Sequence, residues 1–283
     1  MSEALLNRVI ENTFIDGPGN RMAFFLQGCN LRCLYCHNPE TQRVCNGCGA
    51  CVDGCPAGAL RLENGRVRYD RQKCVQCDRC LAVCPHFSSP KCVLVNDAEL
   101  FRQILRNADF IDGVTFSGGE CSLQYGFVCD VFRAVKSETA LTCFVDTNGY
   151  MEPPALEALC AVTDGFMFDL KAFDREKHRK LTGQPNDRVF RNLASVSEKG
   201  LLYEVRTVVA EGFTDDAAEI VRIASYVKEL NDYTMLRLIP FRPYGVKTYM
   251  KDFGTMGRDK MESLLEEARN VLGGRATGKG IAE

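Results

Sequence analysis

The stretch "CNLRCLYCHN" (29–38) places Cys29, Cys33 and Cys36 within eight residues of one another. Thiolates crowded in this way are ligands for iron–sulfur clusters or for zinc, and both are commonly held by four protein donors. This run offers three. Either a fourth donor comes from elsewhere in the chain or one metal position is left open. Two further stretches, "CNGCGACVDGCP" (45–56) and "CVQCDRCLAVCP" (74–85), both read C-x2-C-x2-C-x3-C-P and form an internal repeat offset by 29 residues.

Each repeated run carries the ligand pattern of bacterial ferredoxins, in which the fourth cysteine serves the other cluster. Cys45, Cys48, Cys51 and Cys84 are then expected around one [4Fe–4S] cluster, and Cys74, Cys77, Cys80 and Cys55 around a second. Zinc suits the spacing less well, because zinc motifs usually separate two CxxC pairs by a dozen or more residues. A disulfide scaffold suits it less well still, since such scaffolds are short, secreted and poor in core. Between the runs, "ALRLENGRVRYD" reads as strand, Asn-Gly turn, strand. So small a module has a thin core, and cluster binding is expected to supply much of its folding energy. These eight cysteines satisfy one another and leave none for Cys29, Cys33 and Cys36. Of the remaining five, Cys129, Cys143 and Cys160 read as small buried hydrophobes, while Cys92 and Cys121 have no evident role.

The rest of the chain must position these thiols. Strand-like runs at 21–28, 113–119, 141–149, 165–172, 202–210 and 234–241 alternate with helical patterns at 97–109, 123–137, 153–162, 174–199, 215–230 and 257–273. Six strand–helix repeats predict a parallel sheet with right-handed crossovers. Polar residues gather at the C-terminal strand ends (Ser117-Gly-Gly-Glu, Asp146-Thr-Asn-Gly, Asp169 with Lys171), which is where parallel barrels carry their active sites. The expected fold is α/β, a partial (βα)6 TIM-type barrel whose first crossover contains an inserted bacterial 2[4Fe–4S] ferredoxin-like domain. Residues 1–40 would begin the core, 41–93 form the insert and 94–283 complete the core. The net charge of −2 gives no reason to expect nucleic-acid binding. No run reaches the length of a membrane span, and charged residues interrupt the N-terminal stretch where an export signal would be apolar. A cytoplasmic location is expected, where clustered cysteines bind metal more often than they form disulfides.

A C-x3-C-x2-C run directly after the first strand of such a chain resembles the radical S-adenosylmethionine (SAM) superfamily, the more so with a GGE strand end. The resemblance implies that three thiolates hold a [4Fe–4S] cluster whose fourth iron chelates the amino and carboxylate groups of SAM. The open position is then a necessity, because a fourth cysteine would block the ligand that receives the electron. "DGPGNRMAFFLQGCNLRCLYCHNPE", with Gly17, Gly19, Arg21, Phe25, Gly28 and the CHN tripeptide, is similar to the signature of glycyl radical enzyme activases. "DTNG", "DLK" and "EVRTVVAEGFTDD" extend the similarity over most of the chain, and the insert resembles the YjjW-like subgroup with two extra clusters. By this resemblance Tyr35, Cys36 and His37 lie along SAM, and Gly118, Gly119 and Glu120 receive its ammonium. Asp146, Asp169 and Lys171 are expected near its ribose and carboxylate, and Arg206 as a further contact to the ligand. Asp146, Thr147 and Met167 match a monovalent-cation site of some relatives. Two departures stand out: Cys121 replaces the proline of GGEP, and Arg242 stands where activases often carry histidine, as a candidate to stack on adenine.

The implied activity is reductive cleavage of SAM to methionine and a 5′-deoxyadenosyl radical, which abstracts hydrogen from a glycine of a partner glycyl radical enzyme, with flavodoxin or ferredoxin as electron donor. A radical SAM enzyme acting on a small molecule or peptide and an iron–sulfur electron-transfer protein are the competing readings. Ligand counting gives about twelve irons per chain, of which replacing Cys29, Cys33 and Cys36 by alanine should remove about four. Iron and sulfide assays after anaerobic reconstitution check this, and a wild-type plateau near four irons would contradict three clusters.

Overall fold

The chain begins with a strand that the sequence reading did not include. In β1 (Glu3–Thr13) the apolar Ala4 and Leu6 are buried while Glu3, Arg8 and Glu11 face solvent, the alternation of a half-buried strand. It pairs antiparallel with β2 (Arg21–Leu26), all six residues of which are buried. The segment expected as the insert follows, with a hairpin of β3 (Leu60–Glu63) and β4 (Arg66–Tyr69) and a short helix, α1 (Arg79–Val83). Asn64 and Gly65, the two turn residues, both have positive φ, as the tight hairpin expected from Asn-Gly requires. The chain then returns to the edge of the main sheet as β5 (Val93–Asn96), antiparallel to β1.

From there helix and strand alternate: α2 (Asp97–Leu105), β6 (Gly113–Gly118), α3 (Tyr125–Glu138), β7 (Thr142–Thr147), α4 (Pro153–Cys160) and β8 (Gly165–Asp169). Next come α5 (Arg175–Thr182), α6 (Asp187–Glu198), β9 (Leu202–Val209), α7 (Ala217–Leu230), β10 (Met235–Pro240), α8 (Arg258–Leu272) and β11 (Ala276–Gly278). This computed structural model describes residues 1–278, so the last five residues of the segment 94–283 lie outside it.

Among the described residues the main sheet has nine strands in the order β11-β10-β9-β8-β7-β6-β2-β1-β5. The six expected strands are present and are parallel in chain order from β2 through β6 to β10. β1, β5 and β11 extend them. One cavity is lined by residues from both β2 and β10, so the sheet curves far enough to bring its distant strands around a shared space. Apolar side chains of the strands pack under α2, α3, α4, α6, α7 and α8 in one continuous core.

The single helix expected over 174–199 is two helices. Gly183 ends α5 in the left-handed conformation at φ 84°, and Pro185 disfavours helical backbone at Gln184. Asp174 starts α5 by accepting from the amides of Glu176 and Lys177. The break matters because it ends α5 beside the cysteine loop.

At the opposite end of the sheet Arg21 is fully buried without a carboxylate. Its guanidinium donates to Thr115 Oγ1 (2.8 Å), the carbonyls of Val114 (2.7 Å), Thr142 (2.9 Å) and Pro18 (3.1 Å), and Thr142 Oγ1 (2.8 Å). It also stacks over Phe144. Burial pulls its pKa down to about 10, yet the five acceptors keep the cation in place and join β2, β6 and β7. Arg21→Met should cost about 3–5 kcal/mol, because it strands several buried acceptors. Urea unfolding measures this, and a loss under about 1 kcal/mol would contradict the pinning role.

Candidate functional site

The cysteine loop between β2 and the insert has almost no regular structure, so its shape comes from neighbours. Its base closes through Gly28 N–H to Thr41 O (2.8 Å) and Cys29 N–H to Gln42 O (3.0 Å). The C-terminal carbonyls of α5 lack helical partners, and the loop supplies them: Arg32 N–H donates to Thr182 O and Leu34 N–H to Leu181 O, both at 2.8 Å. On the other side Glu120 N–H donates to Gly28 O at 2.8 Å and Gly119 N–H to Leu26 O at 3.0 Å. Asn30 donates to Tyr150 O (2.6 Å) and accepts from Asn148 Nδ2 (2.9 Å).

Gly118 and Gly119 allow this close approach. A Cβ on Gly118, whose φ is +129°, would lie 2.2 Å from Leu26 O, and one on Gly119 would lie 2.3 Å from Gly28 O. The glycines therefore bring backbone to backbone, and both also line the cavity.

That cavity, of about 310 Å3, lies at the C-terminal ends of the parallel strands, within the range of small-molecule sites. Cys29, Cys33, Cys36, Tyr35 and His37 line it together with Gly118, Gly119, Asp146, Thr147, Asp169, Lys171 and Arg206. Burial pushes the Cys29 thiol up to about 11 and the Cys33 thiol up to about 12, and raises Cys36 as well. Burial disfavours their thiolate forms, and a cationic iron–sulfur cluster is a group that would offset this and fits three thiols gathered at one cavity. The Tyr35 hydroxyl is buried with no hydrogen-bond partner among the described residues, and the Lys171 ammonium lies 5.7 Å from its ring centroid.

The charges in the cavity are held in place. Lys171 Nζ is 2.6 Å from Asp169 Oδ2. Burial works against the Lys171 cation, but Asp169, Tyr35 and Cys33 outweigh it and hold its pKa above the ordinary value. Arg206 contacts Asp146 at 3.3 Å, is paired with Glu204, and donates to Ile15 O at 2.9 Å. Burial pushes Asp146 up to about 6 although Arg206 opposes the shift, and Ser117 Oγ donates to its other oxygen at 2.9 Å.

Three of the expected groups are engaged elsewhere or stand outside the cavity lining. Glu120 does not line the cavity: its carboxylate accepts from Thr147 Oγ1 (2.9 Å), Asn148 N–H (2.8 Å) and Ser122 N–H (3.0 Å). It ties two strand-end turns together instead of facing outward to an ammonium. Arg242 is exposed and absent from the lining, because Phe241 occupies the inward position, 6.0 Å from the His37 ring. The side chains of the expected cation site are already engaged: Arg206 faces Asp146 and the Met167 sulfur, and Thr147 turns to Glu120.

The sequence reading missed Asp16, which lines the cavity from the "DGPG" run, and Glu204, which is buried between Arg206 and Arg237. The signal for Glu204 was its i, i+2 spacing from Arg206 on one strand face. Cys121 is buried in the core, and Cys92 donates to Gln27 Oε1 at 3.1 Å. His178 is buried, its Nδ1 2.7 Å from Gln184 O.

In the insert, one small cavity is lined by Cys45, Cys48, Cys51 and Cys84, and another by Cys55, Cys74, Cys77 and Cys80. These are the two sets formed by exchanging the fourth cysteines. No three His, Cys, Asp or Glu side chains among the described residues converge closely enough for a single ion. The thiols ring spaces instead of meeting at a point.

Residues 24–224 match the radical SAM superfamily. The chain is 30% identical to the trans-4-hydroxy-L-proline dehydratase activating enzyme of Clostridioides difficile, over 91% of this chain and 92% of that protein. It is 31% identical to the pyruvate formate-lyase 1-activating enzyme of Escherichia coli (strain K12), over 82% of this chain and 78% of that one. A radical SAM methyltransferase from Sphaerobacter thermophilus shares the fold, with a TM-score of 0.56 at 13% identity over 98% of this chain and 78% of that one. The chain belongs to the radical SAM superfamily and, within it, to the glycyl radical enzyme activating enzymes. Membership brings a [4Fe–4S] cluster and SAM. Among the described residues no helix is long and apolar enough to cross a membrane.

The Glu120 geometry makes a prediction. Glu120→Gln replaces one carboxylate oxygen by an NH2 group that cannot accept, so the amide of either Asn148 or Ser122 loses its partner, at a cost of about 1–3 kcal/mol of stability without any ligand present. Calorimetry of the SAM-free protein measures this, and an unchanged melting temperature would return Glu120 to a ligand-contact role.

Proposed function

We propose that this activating enzyme uses Cys29, Cys33 and Cys36 as the three ligands of its SAM cluster, with the fourth iron left for SAM. The observation that carries this reading is the single cavity in which the three thiols meet Asp146, Asp169, Lys171 and Arg206 at the strand ends. The cluster supplies the electron for reductive cleavage of SAM. The chain's own groups orient the ligand. Tyr35 and His37 shape the loop side of the site, and the edge at Gly118 and Gly119 offers backbone acceptors to the ammonium. Lys171 and Arg206, held by Asp169 and by Glu204, suit the carboxylate of the methionine moiety. Asp146 and Asp169 suit the ribose hydroxyls. Glu120 acts as a positioning residue for the turn.

The same reading assigns residues 1–40 and 94–283 to a partial (βα)6 barrel and 41–93 to a ferredoxin-like insert with two further [4Fe–4S] clusters. Cys45, Cys48, Cys51 and Cys84 would ligate one cluster, and Cys55, Cys74, Cys77 and Cys80 the other. The two thiol-lined cavities support that pairing, and the resemblance of the insert's cysteine runs supports a YjjW-like activase. A flavodoxin or ferredoxin in the cytoplasm would supply the electron, and a glycine of a glycyl radical enzyme would be the hydrogen donor.

The test is radical transfer. Reduced protein alone should cleave SAM slowly, because no hydrogen donor is positioned in the cavity. With its glycyl radical enzyme, cleavage should accelerate and the partner should acquire a persistent EPR doublet that collapses when the glycine carries α-deuterium. If a candidate partner encoded nearby never acquires the signal while a small metabolite alone yields stoichiometric 5′-deoxyadenosine, the site serves a small molecule.

A further inference from the structure

The charge of the insert differs from that of the rest of the protein. Residues 41–93 carry eight Lys and Arg against four Asp and Glu, leaving 27 against 33 elsewhere in a chain of 35 against 37. Much of the excess lies on one face. Leu60, Val67 and Tyr69 of the hairpin line the two thiol-ringed cavities, so strand alternation puts Arg61, Glu63, Arg66 and Arg68 on the outer face. Arg61 and Arg68 are directly opposite each other in the ladder, an arrangement that destabilises a hairpin. Glu63 reaches both only loosely, at 3.4 and 3.7 Å. Two arginines facing each other contribute nothing to covering the cavities beneath, so their placement points to a role outside the fold.

The surface continues through the exposed Arg71, and through Lys73, 3.7 Å from Asp70, to Arg79, which with Asp78 lines the cavity of Cys55, Cys74, Cys77 and Cys80. The Cys77 thiol in that set is itself exposed. The other set is joined to the core. Lys247 donates to the carbonyls of Leu81 and Cys84, and Phe87 and Lys247 share a cavity with Cys33 and Cys36.

We infer that the arginine-rich outer face of the insert docks an acidic one-electron carrier protein, which passes its electron in at the Cys55, Cys74, Cys77 and Cys80 end. The inference rests on the two-cluster reading of the insert. In the step one electron leaves the carrier, which is oxidised by one, and one [4Fe–4S]2+ cluster becomes [4Fe–4S]1+; no bond is made or broken. The charge argument also selects the face. An acidic carrier is repelled by a core with more carboxylates than cations and attracted to the insert, which raises encounter there before any contact forms.

The experiment compares the reconstituted full-length protein with the variant Arg66→Glu/Arg68→Glu/Arg71→Glu. Cluster bleaching is followed anaerobically by stopped flow, with reduced flavodoxin and separately with dithionite. At low ionic strength the variant should be reduced about tenfold or more slowly by flavodoxin, with unchanged iron content and an unchanged dithionite rate. Arg102→Glu/Arg106→Glu, exposed residues in and just after α2, should leave the flavodoxin rate at the wild-type value. Equal flavodoxin rates in the insert variant and the wild type overturn the inference. So does slow glycyl radical formation by the dithionite-reduced variant, which would assign the face to the glycyl radical enzyme. If the variant fails to take up iron, the wild type decides alone: its flavodoxin rate should fall steeply with added salt, and a salt-independent rate overturns the docking. A wild-type iron plateau near four per chain identifies failure of the two-cluster reading itself.

Discussion

A loop proposed to present three thiols to one cluster and to withhold a fourth needs a shape it cannot generate alone. The backbone hydrogen bonds that dock this loop supply it. The C-terminal carbonyls of α5 take the amides of Arg32 and Leu34, and the turn after β6 takes the Gly28 carbonyl. Both contacts use groups that a helix end or a strand end leaves without partners, so the docking satisfies donors and acceptors that would otherwise be a burial cost. Gly118, Gly119 and Gly183 are the residues that make it geometrically possible. A side chain at Gly118 would strike Leu26 of β2 and one at Gly119 the Gly28 and Thr41 carbonyls at the base of the loop, and without the break at Gly183 the α5 carbonyls would be consumed inside a longer helix.

With the loop fixed, the polar side of the cavity is built from charges that hold one another. Glu204 is nearly fully buried, yet Arg206 and Arg237 flank it. Arg206 is held against Asp146 as a result, and Lys171 against Asp169. Pairs buried in this way stabilise a fold little, since desolvation cancels much of their attraction. Their value here is orientation, because cations restrained at the rim of a cavity need little reordering when an anionic group arrives.

Much of this was legible in the sequence because it depends on local spacing. The three cysteine runs, the Asn64-Gly65 turn and the polar residues ending β6, β7 and β8 are all patterns of a few residues. Exchange of the fourth cysteines between the repeats was an expectation of the same local kind, and each expected set of thiols lines one cavity. What escaped depends on tertiary direction. Glu120 follows two glycines at a strand end, where a carboxylate can turn outward to a ligand or inward to the next turn; only the position of Thr147 and Asn148 decides. Arg242 was displaced by Phe241 for a similar reason. β1 was missed because its alternation is weak and its burial comes from β2 and β5 on either side. The break at Gly183-Gln184-Pro185 carried a readable signal that a long amphipathic pattern obscured.

The central claim is that the loop of Cys29, Cys33 and Cys36 leaves one iron for SAM. Electron–nuclear double resonance on the reduced protein with SAM labelled with 15N at its amino group tests it directly, because the label reports only the iron it touches. The account predicts a 15N hyperfine coupling to a [4Fe–4S]1+ cluster, which disappears in the Cys29→Ala/Cys33→Ala/Cys36→Ala variant while the signals of the insert clusters persist. SAM that binds without any 15N coupling would contradict it, and would mean that the fourth iron is closed by a ligand from the protein.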